Sequence, residues 1–502
     1  MLLPITIKGQ CLRMRRTKIV ATLGPATSTQ ESIDAIVKAG VNVVRLNFSH
    51  GSPEEHKARA EMVRTAAKKA NRSVAILGDL QGPKIRIDRF KDGKIELKTG
   101  DKFILNAALD PNAGDQHQVG LTYKRLPKDV NVDDELWLDD GRLVLKVTCI
   151  DGEKIHTVAL NSWELSDNKG INRRGGGLSA DALTEKDIAD IQTAADIGVD
   201  FLAVSFPRNG DDLRLARKLM LEAGGKAAIV AKVERAESII QPVLDDLIKA
   251  SDVIMVARGD LGVEIGDANL PEAQKMLIKR SRELDRAVIT ATQMMESMIT
   301  NNIPTRAEVF DVANAVMDGT DAVMLSGETA TGHNPALVIE AMGEICEEAE
   351  HNAAVSVSSH RVGERFQRTD EAIAMASMYL ANQMDIKAVA SLTESGATAR
   401  WMSRISSGKP IYALTTHKST CRRVSIYRGV YPIFITESLT SPKAANSIVI
   451  EHMLSRGQVK EGDLVIVTKG DLVGIDGGSN MLKIIKVGEH LDEPQTKPNE
   501  TD

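Results

Sequence analysis

The chain has 502 residues, 42% of them hydrophobic and 26% charged. That is a globular composition, and it is too long for one ordinary core, so about two to four domains are expected. A net charge of −6 and an aromatic share of 3% argue against a nucleic-acid or membrane-surface partner and against recognition by base stacking. The four cysteines, Cys11, Cys149, Cys346 and Cys421, have no CxxC spacing and read as reduced thiols of a cytoplasmic chain. No apolar run approaches the roughly 20 residues of a membrane span. The start, MLLPITIKGQCLRMRR, has neither a long apolar core nor a small-residue cleavage site, so no signal peptide is expected. Residues 1–13 are set aside as an N-terminal extension or a misplaced start.

In chain order, Thr17–Leu23, Asn42–Phe48 and Val74–Asp79 are short apolar runs of the buried-strand kind, with helical patterns between them. The second run carries Arg45 and the third ends in a carboxylate. From Pro83 to Leu183 the rhythm changes. Short alternating stretches such as Lys94–Leu97, Glu135–Leu138, Leu143–Val147 and His156–Leu160 are separated by Asp-Gly turns. They predict an inserted small antiparallel β-barrel or sandwich, closing on a flexible return at Gly170 and Gly175-Gly176-Gly177. The first rhythm then resumes with Asp200–Ser205, Ala228–Val233, Asp252–Ala257, Ala287–Thr292 and Asp321–Ser326. Eight strand–helix units are the number that closes a (β/α)8 barrel, here interrupted after its third strand.

The expected fold class is therefore α/β. A (β/α)8 barrel is built from 14–82 and 184–354, with an inserted β-barrel lid at 83–183. Beyond it, the helix Asp370–Gln383 and the strands Ala388–Ser391, Pro410–Leu414, Val430–Ile435 and Asp463–Thr468 suggest an open α/β sheet across 355–488. A polar tail follows at 489–502. In a parallel barrel the ligand face is the carboxyl end of the strands. Arg45, Asn47, Asp79, Ser205, Lys232, Glu234, Asp260, Thr292, Ser326 and Glu328 all fall there.

The stretch AIVAKVERAESIIQPVLDDLIKASDVIMVARGDLGVEIG (228–266) carries the densest chemistry. It reads as strand, helix (apolar at Ile239, Ile240, Val243, Leu244, Leu247 and Ile248) and strand. Glu234 and Asp260, at the ends of neighbouring strands, can share one divalent cation. With no His or Cys beside them, hard oxygen donors point to magnesium or manganese. A plain structural pairing of these carboxylates with Lys232 and Arg258 is about equally consistent with the spacing. Lys232 suits a Schiff base, a phosphate contact or a salt bridge, and nearby acids that keep it charged favour phosphate or enolate stabilisation. Gly259 lets backbone N–H groups approach an anion.

The motifs TKIVATLGP, VVRLNFSHGS, GDLQGPKIR, NKGIN, KVERAE, MVARGDLGVEI, ATQMMESM and PTRAEVFDVANAVMDGTDAVMLSGETATG together resemble pyruvate kinase, from about Met14 to Val487. The resemblance implies phosphoryl transfer from phosphoenolpyruvate to ADP, giving pyruvate and ATP, in a cytoplasmic homotetramer. It implies Mg2+ on Glu234 and Asp260, and charge stabilisation by Lys232. Arg45 would clamp the phosphoryl group, while Gly259, Asp260 and Thr292 would seat the carboxylate. Arg86, Lys169, Asn47 and His50 would lie towards the nucleotide, and Thr292 and Ser326 near the face where the enolate is protonated. A second, nucleotide-bound Mg2+ is expected.

Many relatives hold K+ with residues matching Asn47, Ser49, Asp79 and the backbone of Leu80, and carry Glu where this chain has Lys84. An internal ammonium at Lys84 implies that K+ is not required. Thr393, Ser395, Gly396 and Thr398 match the loop that in relatives binds the phosphate of a sugar-phosphate or nucleotide effector, and Gly477-Gly478-Ser479-Asn480 resembles a second loop of that pocket. Two other readings stand beside this one. The first is a Mg2+-dependent barrel lyase of the aldolase type acting on an oxo-acid enolate, which would need no nucleotide cover. The second is a metabolite sensor with a dead barrel, which would be expected to lose Lys232, Glu234 or Asp260.

Overall fold

The computed structural model describes residues 14–352, 365–437, 442–471 and 477–489. The expected extension 1–13 and the polar tail from 490 lie outside the described residues, as does the junction at 354/355. Strands β1 (Lys18–Thr22), β2 (Val43–Asn47) and β3 (Ala75–Asp79) come first. The inserted unit holds β4 (Lys94–Leu97), β5 (Lys102–Asn106), β6 (Gln118–Gly120), β7 (Glu135–Leu138), β8 (Leu143–Asp151), β9 (Lys154–Ala159), β10 (Trp163–Ser166) and β11 (Ile171–Arg173). Then follow β12 (Phe201–Val204), β13 (Ala228–Val233), β14 (Val253–Ala257), β15 (Ala287–Ala291) and β16 (Ala322–Leu325). The C-terminal unit has β17 (Ile386–Leu392), β18 (Ile411–Thr415), β19 (Val430–Phe434), β20 (Leu464–Gly470) and β21 (Ser479–Lys486).

β1–β3 and β12–β16 close a parallel barrel in the order β1-β16-β15-β14-β13-β12-β3-β2. Its strands are buried on both faces, which is why they read as continuous Val, Ile and Ala runs. Inward residues Val20, Val43, Leu77, Phe201, Val230, Met255, Ile289 and Met324 fill the interior. Helices end where the sequence supplies a stop: Gly40, Gly198 and Gly319 cap three of them in the left-handed conformation. The crossover expected from Ile239 to Ile248 is divided, with a 3-10 turn at Ala236–Ile239 and a helix at Val243–Ala250. Pro242 sits at the helix start, the one place where its missing N–H costs nothing.

The inserted segment forms a six-stranded sheet, β11-β7-β8-β9-β5-β6, beside a β10-β4 pair, around its own apolar core. The pairing is mostly antiparallel as expected, but β5 and β6 run parallel, because the connection from 107 to 117 crosses over instead of turning back. The glycines at its exit are packed. Gly175, Gly176 and Gly177 all have positive φ, and a Cβ on Gly176 would strike the Glu237 carboxylate. The C-terminal sheet runs β19-β18-β17-β20-β21. Its first four strands are parallel and β21 is an antiparallel edge. The sequence reading missed β21. Its polar Ser479 and Asn480, taken there as loop, begin the strand, and most of its residues are only partly covered.

Candidate active site

Lys232 is the next-to-last residue of β13, and its pairing with Met255 of β14 turns its side chain into the carboxyl-end mouth of the barrel. Its ammonium donates to Ser205 Oγ at 2.6 Å and lies 2.9 Å from Glu234 Oε1 and 3.4 Å from Asp79 Oδ1. The Ser205 hydroxyl donates a hydrogen bond to the Leu80 carbonyl at 2.8 Å, so its lone pairs are aimed at the lysine. Burial lowers the affinity of Lys232 for its proton. Asp79 and Glu234 more than reverse that, and its pKa is raised above the usual lysine range. The lysine is a fixed, charged group.

Asp79 is the hinge of the cluster. Register pairs it with Asn47 of β2 and Ala203 of β12. Arg45 Nε donates to its Oδ2 at 2.6 Å, and Arg45 Nη1 donates to Thr22 Oγ1 at 3.2 Å. Burial pushes the Asp79 carboxyl up, but Lys232 and Arg45 together hold it below the usual range. Two cations thus flank one buried anion and keep capacity to bind another. Thr22, whose hydroxyl donates to the Leu325 carbonyl at 2.8 Å, was not singled out from sequence, although a polar residue at the end of β1 was the available signal.

Glu234, just beyond β13, is 2% exposed and accepts the Phe206 N–H at 2.7 Å. Phe206 has a φ of 52°, a left-handed turn that aims this N–H at the carboxylate. No sequence pattern marked it. Asp260 does not end a strand as expected: β14 stops at Ala257, and Asp260 lies in the first turn of a helix, Arg258–Ile265. Burial pushes the Glu234 carboxyl up to about 7, against the pull of Lys232 and with help from Asp260. Burial raises Asp260 as well. Among the described residues nothing makes an ion pair or hydrogen bond with the Asp260 carboxylate, and no third His, Cys, Asp or Glu joins the two into a cluster. Two hard carboxylates that resist charging without a counter-ion fit a divalent cation that draws its remaining ligands from substrate and water.

Thr292 closes the opposite side. Its φ is 70°, and its hydroxyl accepts the Gly259 N–H at 2.9 Å while donating to the Ala291 carbonyl at 2.6 Å. Arg258 locks this turn through Ala291 O at 3.1 Å, Thr292 O at 2.6 Å and Asp311 Oδ1 at 2.6 Å, so it is committed to structure. Ser326 follows β16, and Glu328 accepts the N–H groups of Ser326 at 2.6 Å and Met295 at 3.1 Å. Glu328 is therefore a loop clamp and is not aimed at the mouth.

The other expected residues are divided. Asn47 Oδ1 accepts the Ser49 N–H at 3.1 Å. The exposed His50 offers its carbonyl to His56 at 2.9 Å. Arg86 pairs by backbone with Gly170, next to Lys169, whose ammonium is held 2.8 Å from Asp139 of the insert. The Asp140 beside it is near enough to Asp260 to raise its pKa further, so the insert reaches over the mouth. Lys84 lies exposed at the rim. Crowding by protein and the charge of Arg86 lower its pKa, while Asp260 and Glu234 pull it the other way. In the C-terminal unit Thr393 Oγ1 accepts the Gly396 N–H at 2.9 Å, Ser395 Oγ accepts the Ala397 N–H at 3.4 Å, and the buried Thr398 hydroxyl meets Ser479 Oγ at 2.8 Å. These hydroxyls cap the loop and tie it to β21.

Comparison with known proteins agrees with this fold. The family model described as "Pyruvate kinase, barrel domain" matches residues 14–339, and "Pyruvate kinase, alpha/beta domain" matches 371–485. Pyruvate kinase II of Salmonella typhimurium is 56% identical over 477 residues, covering 95% of this chain and 99% of the relative. The pyruvate kinase of Haemophilus influenzae is 57% identical over 460 residues, with 91% and 96% covered. The crystal structure of a pyruvate kinase from Cryptosporidium parvum superposes with a TM-score of 0.88 at 34% identity, covering 94% of this chain and 96% of that one.

Proposed function

The chain belongs to the pyruvate kinase family, whose members transfer a phosphoryl group from phosphoenolpyruvate to ADP, and we propose that the cluster around Lys232 performs that transfer here. The observation that carries this reading is the buried ammonium itself. It is held charged by Asp79 and Glu234 and oriented by Ser205 at the barrel mouth. Phosphoryl transfer asks little covalent chemistry of a protein. It needs reactants in line and preorganised charge where charge develops.

Lys232 places its ammonium where the transferring phosphoryl oxygens and the enolate oxygen accumulate charge. Arg45, braced on Asp79 and Thr22, turns its remaining N–H groups to the phosphoryl oxygens. The Gly259 and Asp260 backbone, with Thr292, seats the substrate carboxylate. Arg86, Lys169, Asn47 and His50 face the nucleotide, and Thr292 and Ser326 border the face on which the enolate takes its proton. The family is generally Mg2+-dependent; Glu234 and Asp260 would hold the ion, which neutralises phosphoryl and enol oxygens when bound. The carboxylate pair, the lid over the mouth and the comparisons favour this chemistry over an aldolase-type lyase. The test is pyruvate formation with Mg2+ in Glu234→Gln. The metal concentration needed for half-maximal rate is expected to rise about tenfold or more, and an unchanged requirement would remove Glu234 from the metal site.

Three finer features belong to the same reading. Lys84 supplies at the rim the monovalent charge that relatives take from K+, supported by its coupling to Asp260 and Glu234; the region Asn47, Ser49, Asp79 and Leu80 then needs no ion. The loop Thr393–Thr398 receives the phosphate of a sugar-phosphate or nucleotide activator. The chain assembles as a cytoplasmic homotetramer. Ile303 and Phe310 are 75% and 74% exposed beside the half-exposed Met317, an apolar strip that self-association would cover, and Cys149, Cys346 and Cys421 are free thiols. Among the described residues no helix is long and apolar enough to cross a membrane. Phe310→Asp is expected to lower the sedimenting mass below a tetramer, and an unchanged mass would move the interface elsewhere.

A further inference from the structure

The insert is joined to the barrel by two stretches of chain, and both lead to the carboxylates that hold Lys232. On the way in, the chain leaves β3 at Asp79 and passes directly to Leu80. The Leu80 N–H is given to the Ala203 carbonyl at 3.0 Å, and its own carbonyl accepts from Ser205 at 2.8 Å. The way out reaches no barrel strand before Phe201 of β12, and a side chain fastens it instead. Arg235, 4% exposed, donates Nη1 to the Leu178 carbonyl at 2.6 Å and Nη2 to the Ala180 carbonyl at 3.2 Å. Ser179, between them, is tied to the insert: its N–H and its hydroxyl go to the Asp129 carboxylate at 2.9 and 2.8 Å. One residue of the exit thus grips the insert while its two neighbours are gripped by the barrel.

Arg235 follows Glu234 directly. Its backbone is extended, with φ −107° and ψ 146°, so the two side chains leave the chain on opposite sides. Glu234 turns to Lys232 and the Phe206 N–H in the mouth, and Arg235 turns to the exit. Among the described residues one carboxylate is in its reach, Glu237 at 3.4 Å. The shorter bonds are to the two carbonyls, which a planar guanidinium can bridge and an ammonium cannot. Just before this clamp come Gly175, Gly176 and Gly177, with φ of 83°, 75° and 88°. A left-handed run of glycine is the part of the exit most able to change direction. The Gly177 N–H reaches Glu237 Oε2 at 3.3 Å, so this turn also rests on the segment that follows Glu234.

We propose that Arg235 is a positioning residue that links the seating of the insert to the orientation of the Glu234 carboxylate. This rests on the assignment of Glu234 to the metal site. A cation on Glu234 steadies the clamp and holds the insert over the mouth, and by reciprocity a seated insert favours the cation. Arg86 and Lys169 are then brought over the mouth when the metal site is filled.

The test is backbone hydrogen exchange of the full chain, titrated with Mg2+ in the presence of phosphoenolpyruvate. ADP is left out so that no nucleotide bridges mouth and insert. Wild type, Arg235→Met, Arg235→Lys, Glu234→Gln and Arg173→Met are compared. Arg173 bonds the Gly176 carbonyl at 2.9 Å and pairs with Asp134 at 2.8 Å, so its loss controls for a general loosening of the exit. In wild type, Mg2+ should slow exchange about fivefold or more both at 228–240 and in the insert at 135–141 and 167–173, with one half-saturation. Arg235→Met should keep the protection at 228–240 and lose most of it in the insert. Arg235→Lys, with one carbonyl in reach, should fall between, and Arg173→Met should follow wild type. An unresponsive insert in wild type would overturn the proposal, as would a wild-type insert response in either Arg235 variant or an equal loss in Arg173→Met. Protection at 228–240 that is absent, or unchanged in Glu234→Gln, would remove Glu234 from the metal site and the proposal with it.

Discussion

Glu234 and Lys84 show how far a single side chain can be argued. Burial holds the Glu234 pKa near 7 without a metal, above the 4.5 of an exposed glutamate, so below pH 7 the carboxyl keeps its proton. A cation must displace that proton to bind. The apparent Mg2+ requirement should therefore fall as pH rises from about 6 to 8 and level off above that. Titrating the rate with Mg2+ at each pH checks this, and a requirement independent of pH would contradict it. For Lys84, wild-type rates in potassium-free buffer and with added K+ should match, whereas Lys84→Glu should become activated by K+. A variant that stays indifferent to K+ removes the internal-cation role. Glu234 was legible because a charge at the end of an apolar run stands out, and Lys84 only through the resemblance, as a Lys where many relatives carry Glu. Phe206 and Thr22 were not. The first contributes a backbone N–H through a left-handed φ that its side chain gives no hint of, and the second is one threonine in a β-strand where threonine is ordinary.

At the scale of elements, the helix Arg258–Ile265 carries the main lesson. Its sequence, RGDLGVEI, has two glycines and a weak apolar pattern, so propensity did not mark it as a helix. Packing decides the matter. Leu261 is fully buried, and Glu264, 4% exposed, accepts the Ala236 N–H at 2.7 Å. Gly175 N–H meets the Glu264 carbonyl at 3.0 Å, so this helix also carries the exit of the insert. Burial, with a smaller push from Glu237, raises the Glu264 pKa to about 8. A raised folded pKa means that the associated stability is complete below about pH 4.5 and is lost as pH climbs through 8. Glu264→Gln keeps the carbonyl acceptor but cannot ionise. In metal-free protein its Tm relative to wild type should be near zero difference at pH 5 and grow to a plateau above pH 8. The gain is of order 1–4 kcal/mol. A difference that does not change with pH would exclude an ionising Glu264. Barrel strands were legible by contrast, since full burial on both faces writes an unbroken apolar run. β21 was not, because a half-covered edge strand writes almost none.

Across the whole molecule, the barrel and the C-terminal sheet share one apolar cluster and are joined by specific polar contacts. Asp321, at the amino end of β16, accepts Arg404 in a bidentate pair and also takes the Val288 and Arg428 backbone N–H groups at 2.9 and 3.0 Å. It thereby links barrel and C-terminal sheet. Removing one partner strands the other without water. Arg404→Met should therefore cost about 3–5 kcal/mol, seen as a lower Tm, while Lys57→Met at the exposed Asp196 pair should change little. Equal effects would make the seam incidental. The order of units was readable from the change of period after Asp79. The seam was not, because residues 321 and 404 are brought together by folding alone.

The claim on which the rest depends is that a buried, permanently charged Lys232 stabilises the transferring phosphoryl group and the enolate. Its most direct test is pyruvate formation from phosphoenolpyruvate and ADP at saturating Mg2+, comparing wild type with Lys232→Met, alongside phosphoenolpyruvate binding to each. The account predicts a loss in kcat of about 100-fold or more with substrate binding weakened far less, because the ammonium acts chiefly on charge that develops during transfer. A variant that turns over near the wild-type rate, or one whose whole defect lies in substrate binding, would contradict it.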